Sequence, residues 1–189
     1  MELLEQRILS DGKLLPGGIL KVDNFLNHQM DPALLQAMAK EWHRLFEKDG
    51  VNKILTIEAS GIAMAILAGL EFRCPVVFAK KSRTKNLSEN LYQTEVPSFT
   101  HGNTNTVVVS KDYLNASDRV LLIDDFLATG AALVGLRDLV SQAGATLVGA
   151  GAAIEKRFQG GGDRLRAEGV RVESLARIVR MDENGIVFG

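Results

Sequence analysis

Apolar residues recur along this chain with two different periods, and the alternation between them predicts the architecture. Leu34, Leu35, Met38, Trp42, Leu45 and Phe46 fall at helical spacing behind Asp31-Pro32, and Gly50 closes that helix. Residues 54–57 then form a short continuous apolar run, read as a buried strand, and an apolar helix follows over residues 61–70. Residues 75–79, 106–109, 120–123 and 146–155 read as further strands. Residues 131–143 read as a helix with Leu133, Leu136, Leu139 and Val140 along one side. Unbroken apolar strands alternating with helices imply an α/β fold, with a mostly parallel central sheet flanked by helices. Ligands of such sheets bind where loops leave the carboxyl ends of the strands. The informative segments are therefore EASG after Ile57, DDFLATG after Ile123 and EKRF after Ile154.

Residues 80–105 differ in kind: polar, densely basic at the start and without a sustained period, they read as one long loop. Gly160 to Gly162 read as a helix entry or turn rather than a linker. No repeat or linker divides the chain, so residues 1–189 are expected to form one domain. Its 46% hydrophobic content suffices for a sizeable core. With 22 basic and 23 acidic residues, overall charge gives no case for nucleic acid or an anionic membrane as partner. The helix over residues 61–70 has about half the length of a bilayer span. Cys74, the single cysteine, reads as a small buried hydrophobe. With no secretory leader in view, a soluble cytoplasmic protein is expected.

The stretch VLLIDDFLATGAAL, residues 120–133, carries the most chemistry. A buried strand runs into two adjacent carboxylates, Asp124 and Asp125, followed at once by a turn stripped of bulk. One carboxylate there is also an ordinary helix cap. The turn Ala128-Thr129-Gly130-Ala131-Ala132, however, opens a helix with several backbone N–H groups free to face an anion. Gly130 permits close approach and Thr129 adds a hydroxyl. A phosphate on the N–H groups and vicinal hydroxyls on the two carboxylates together spell a ribose 5-phosphate. Glu58-Ala59-Ser60-Gly61 repeats the strand-to-helix arrangement and reads either as a second anion turn or as a plain Ser60 cap. Lys80-Lys81-Ser82-Arg83 reads as a solvated loop or as a basic cover. Lys156, with donors only, suits a carbonyl on a bound base, and Phe158 could stack on it; an exposed lysine beside a core phenylalanine is the alternative. His28, His43 and His101 are scattered, so no protein metal ligands are assigned. Neither a GxGxxG nor a Walker A motif occurs.

VLLIDDFLATG resembles the phosphoribosyl pyrophosphate signature of type I phosphoribosyltransferases. The resemblance implies that family's fold, with Ala128 to Ala132 on the phosphoribosyl group and Ala59, Ser60 and Gly61 on the pyrophosphate. The pyrophosphate turn of such enzymes often carries a non-proline cis peptide. Lys80 and Lys81 would belong to a mobile lid over residues 80–105 that stabilises the leaving diphosphate. Asp124 and Asp125 would orient the ribose, one of them assisting proton transfer. Mg2+ would be held mainly through the diphosphate and ribose, and a homodimer is implied. Over nearly the whole chain, LKVDNFLNHQMDP, IEASGIA, PVVFAKK, LLIDDFLATG and VESLARI resemble, in the same order, the xanthine phosphoribosyltransferases of Gram-positive type. Carried over by position, Leu20, Asn27 and Lys156 would contact the base. Asn27 both donates and accepts, and an extra donor can recognise xanthine's second carbonyl. A small hood from about residues 1–35 and the C-terminal segment would cover the base. The implied reaction joins xanthine to phosphoribosyl pyrophosphate in purine salvage, giving xanthosine 5′-monophosphate. Guanine and hypoxanthine remain alternative acceptors, adenine fits Lys156 worst, and a non-catalytic purine regulator of the same fold is a further alternative. About thirty residues precede the first long helix, too few for a regulator's DNA-binding domain.

Overall fold

The computed structural model describes residues 1–82, 90–97 and 104–189. Asp31 caps the helix α2 (Pro32–Phe46) as its position in the sequence suggests, its carboxylate accepting from the N–H groups of Ala33 and Leu34 at 3.1 Å each. The alternating strands and helices follow: β3 (Lys53–Ile57), α3 (Gly61–Phe72), β4 (Val76–Ser82), β5 (Leu91–Pro97), β6 (Thr104–Ser110), β7 (Arg119–Leu127), α4 (Ala131–Gln142) and β8 (Thr146–Lys156). After a 3-10 turn at Arg157–Gln159 come α5 (Gly161–Ala167), β9 (Val172–Asp182) and β10 (Gly185–Phe188). Ahead of α2 lie α1 (Glu2–Asp11), a hairpin of β1 (Lys13–Leu15) with β2 (Ile19–Lys21), and a π-helical turn at Asp23–Asn27.

Among the described residues, eight strands form one mixed sheet in the order β10-β9-β8-β7-β3-β4-β6-β5. The five from β9 to β4 run parallel, while β10, β6 and β5 are antiparallel at the edges. The parallel centre orients β3, β7 and β8 alike, so their carboxyl ends open on one rim. Side chains alternate across the sheet as strand geometry requires. Ile54, Leu121 and Ile123 pack with α2 and α3 on one face, and Leu55, Val120 and Leu122 pack with α4 on the other.

Two sequence expectations change. Strand β7 does not stop at Ile123 but pairs with β8 through Leu127, which puts Asp124 and Asp125 inside a strand rather than in the loop after it. The segment 80–105 is not one loop, since β4 holds Lys80 and Lys81, and β5 pairs with β6 over seven residues. Thr94 and Val96 face α4 at Gly135, an alternation hidden by the polar character of its neighbours. Arg83 and the rest of 83–89 and 98–103 lie outside the described residues. The N-terminal segment, for which no element was assigned, buries Leu4, Ile8, Leu20, Val22, Phe25 and Leu26 in the core shared with α2 and β9.

The centre of the sheet is thin by design of its sequence. A Cβ on Gly149 would stand 2.7 Å from the Phe46 ring, and one on Gly151 2.7 Å from Trp42 Nε1 and 2.8 Å from Ile123 Cδ1. These two glycines let α2 lie directly on β8. Among the described residues, no helix is long and apolar enough to cross a membrane. Gly151→Ala should therefore overpack the contact with fully buried Trp42 and cost about 1–3 kcal/mol in urea unfolding. An unchanged midpoint would contradict the packing described here.

Candidate active site

The carboxyl ends of β3 and β7 border a cleft of about 250 Å³, lined by Ser60, Gly61, Lys81, Asp124, Asp125, Phe126 and the turn from Ala128 to Ala132. The turn forms because Gly130 adopts φ 82°, a conformation that L side chains rarely take, before α4 begins at Ala131. No side chain caps α4, and the first N–H groups of a helix have no acceptor within it. The same holds for α3. Ser60 does not cap it, which removes the plain-cap reading of that turn, and the Glu58–Ala59 peptide is cis as the resemblance implies. Two helix N-termini with unclaimed donors thus border one cleft, each favourable to negative charge.

Between them stand two carboxylates. Asp124 is only 4% exposed, and its own Oδ1 accepts from the Asp125 N–H at 3.0 Å. Burial first, and then the neighbouring Asp125 charge, push the Asp124 carboxyl well above the usual aspartate range, with Lys81 opposing weakly. Asn27, at the end of the π-helical turn, donates its amide to Asp125 Oδ2 at 3.3 Å. Its Oδ1 is buried and has no hydrogen-bond partner among the described residues. The N-terminal segment therefore reaches over to the rim of the cleft.

Lys156, the last residue of β8, is half-buried, and burial lowers its pKa. Its ammonium donates to the Gly18 carbonyl at 3.2 Å and lies 5.6 Å from the centre of the Phe126 ring. Leu20 is buried in the core on β2 and does not line the cleft.

Other residues singled out in the sequence land elsewhere. Successive residues of a strand face opposite ways. Lys81 lines the cleft, whereas Lys80 lies over the Phe78 ring at 5.8 Å. Phe158 is 48% exposed in the 3-10 turn and does not line the cleft. Ala59 is likewise absent from the lining, although Ser60 and Gly61 belong to it. Two groups escaped the sequence reading. Phe126, to which the sequence reading gave no role, lines the cleft because β7 continues beyond Asp124. Glu58 accepts the Lys81 N–H at 2.6 Å and ties β4 to the rim. Among the described residues, no group of three or more His, Cys, Asp or Glu side chains is placed to hold a metal ion.

No protein-family model matches the chain. Among solved structures, the APRTase of Giardia lamblia complexed with 9-deazaadenine superposes with a TM-score of 0.77 at 21% identity, over 94% of this chain and 98% of that one. The adenine phosphoribosyltransferase of Rhodothermus marinus gives a TM-score of 0.76 at 22% identity, over 94% of this chain and 100% of that one. At that identity the likeness speaks for the fold, and the fold is that of the type I phosphoribosyltransferases. A xanthine phosphoribosyltransferase of Finegoldia magna is 54% identical over 188 residues, covering 100% of this chain and 99% of that protein. One from Bacillus cereus is 50% identical, covering 100% and 95%. The chain belongs to the xanthine phosphoribosyltransferase family.

The raised Asp124 pKa makes a prediction for the unliganded protein. Above the ordinary aspartate range the folded state holds a proton that the unfolded chain has lost. Stability therefore falls as pH rises from the unfolded pKa through the folded one. Asp124→Asn should melt higher than wild type at neutral pH, and the gap should close towards about pH 4. A variant that melts lower at neutral pH would show that the carboxylate is stabilised in place.

Proposed function

We propose that the chain transfers the 5-phosphoribosyl group of phosphoribosyl pyrophosphate to N9 of xanthine, releasing pyrophosphate and forming xanthosine 5′-monophosphate for purine salvage. The observation that carries this reading is the end of β7: two carboxylates beside a glycine turn with unclaimed N–H groups, on a chain half identical to enzymes named for that activity. The turn from Ala128 to Ala132 holds the 5′-phosphate through backbone donors, with the Thr129 hydroxyl beside them. Asp124 and Asp125 accept from the ribose hydroxyls and fix the sugar. Ser60, Gly61 and the Lys81 ammonium meet the diphosphate.

The C1–O bond to the diphosphate breaks with its electron pair leaving on the diphosphate, and N9 of the base forms the new C–N bond. The ring proton displaced from xanthine passes to one of the two aspartates. Charge grows on the leaving group, so fixed N–H dipoles and Lys81 stabilise the transition state more than the ground state. Lys156 donates to a carbonyl of the base, Asn27 stands at its rim, and Phe126 offers an apolar wall. The two carboxylates, of which Asp124 has its proton affinity raised first by burial and then by Asp125, are hard oxygen donors of the kind that suits Mg2+. Mg2+ held mainly by the diphosphate and ribose oxygens would neutralise charge on the leaving group.

Residues 1–35 and the C-terminal strands act as the hood over the base, while Lys80 and Lys81 are held in β4. We place the enzyme in the cytoplasm as a homodimer. Ile66 and Leu70, one turn apart on α3, are 54% and 64% exposed, which supports an apolar contact with a second copy.

The test is a steady-state assay of pyrophosphate release with Mg2+ and phosphoribosyl pyrophosphate, offering xanthine, guanine, hypoxanthine and adenine separately. Turnover led by xanthine is expected; turnover led by another purine discards the base assignment and keeps the phosphate turn. Donor binding without turnover would make the protein a regulator. Lys156→Ala should lower kcat/KM for xanthine by about a hundred-fold, the cost of an unmet carbonyl, with the KM for the donor unchanged. Equal losses with all four bases would remove Lys156 from base selection.

A further inference from the structure

We infer that α5 is the buttress of the phosphate turn, with Arg164 and Gly161 as positioning residues that aim its N–H groups into the cleft. The inference rests on the reading of that turn as the 5′-phosphate site. It starts from the geometry of a trans peptide, in which the carbonyl and the following N–H point in opposite directions. The Ala128 carbonyl accepts from the Gly161 N–H at 3.1 Å, and the Thr129 carbonyl accepts from the Arg164 guanidinium. Both acceptors lie on the α5 side. The N–H groups of the same two peptide units, those of Thr129 and Gly130, must then face away from α5, towards the cleft that both residues line. Two carbonyls that would repel a phosphate are drawn back, and two donors that would hold it are turned forward.

The contact is too close to tolerate a side chain. A Cβ on Gly161 would come within 2.6 Å of Gly130 N and nearer still to Ala128 O and Thr129 C. Gly130, packed from the other side, would bring its own Cβ to 3.4 Å from Leu165 Cδ1 and 3.5 Å from Gly161 Cα. The buttress is itself fixed. Leu165 is buried in the core beside Leu127 and Leu133. The Arg166 guanidinium grips the buried Glu155 carboxylate with two bonds of 2.8 Å and donates to the Val172 carbonyl at 3.2 Å. Glu155 immediately precedes Lys156 in β8, so one short segment ties the residue that faces the base to the turn that holds the sugar phosphate. Arg164 is exposed, so its role is separable from stability.

The experiment measures the Kd for ribose 5-phosphate by titration calorimetry, and steady-state constants for both substrates, in wild type, Arg164→Ala, Arg164→Lys and Gly161→Ala. Loss of the guanidinium contact should weaken ribose 5-phosphate and raise the KM for the donor by about ten-fold. The KM for xanthine, kcat and the melting temperature should stay near wild type, because the 5′-phosphate is held alike in the ground and transition states. Arg164→Lys should recover most of the affinity. Gly161→Ala, if it folds, should lose more than Arg164→Ala. Wild-type affinity in Arg164→Ala, with wild type itself binding normally, overturns the buttress and leaves the phosphate turn intact. Failure of the wild-type protein to bind ribose 5-phosphate overturns the turn itself, and the buttress with it.

Discussion

Two carboxylates at consecutive positions near the end of a central strand repel each other, and one of them is almost shut off from water. Nothing in the core requires this arrangement, and burial penalises it. The rest of the site is organised around relieving it. Helix N-termini on either side supply positive ends of dipoles, Lys81 supplies a charge, and Asn27 donates to the outer carboxylate. In the function proposed above, a sugar whose hydroxyls donate to these oxygens completes the relief.

The fold positions these parts through its parallel centre. β3, β7 and β8 are neighbours in the sheet and end on the same rim, so the turn before α3, the two aspartates with the glycine turn after them, and Lys156 are products of one topology. Glycines in β8 let α2 lie close on the sheet, and the N-terminal segment covers the core between α2 and β9 with Asn27 at its end. The base site proposed above therefore draws on elements far apart in sequence: a hairpin whose Gly18 carbonyl accepts from Lys156, and a turn whose Asn27 donates to Asp125.

Much of this was legible in the sequence, and the exceptions have physical causes. The helix behind Asp31 and the strands at residues 54–57, 75–79, 106–109, 120–123 and 146–155 were visible because burial writes period and length directly into side-chain type. The small residues after Asp125 marked the glycine turn because the anion nest proposed there needs backbone more than side chains. By contrast, β5 was hidden because its inward positions include a threonine. Strand β7 looked shorter than it is because aspartates interrupt the apolar run. Lys80 and Lys81 look equivalent in sequence, and only strand alternation separates them. The contacts of α5 with the turn are carbonyl directions between residues some thirty positions apart, and no side-chain pattern records them.

The phosphate turn is tested most directly by an NMR titration of 15N-labelled protein with ribose 5-phosphate, followed through the backbone amides. Saturable shifts are expected to centre on the amides of Thr129, Gly130, Ala131 and Ala132, the donors proposed to meet the phosphate. Saturable binding that leaves these four amides unmoved while shifting others would contradict it.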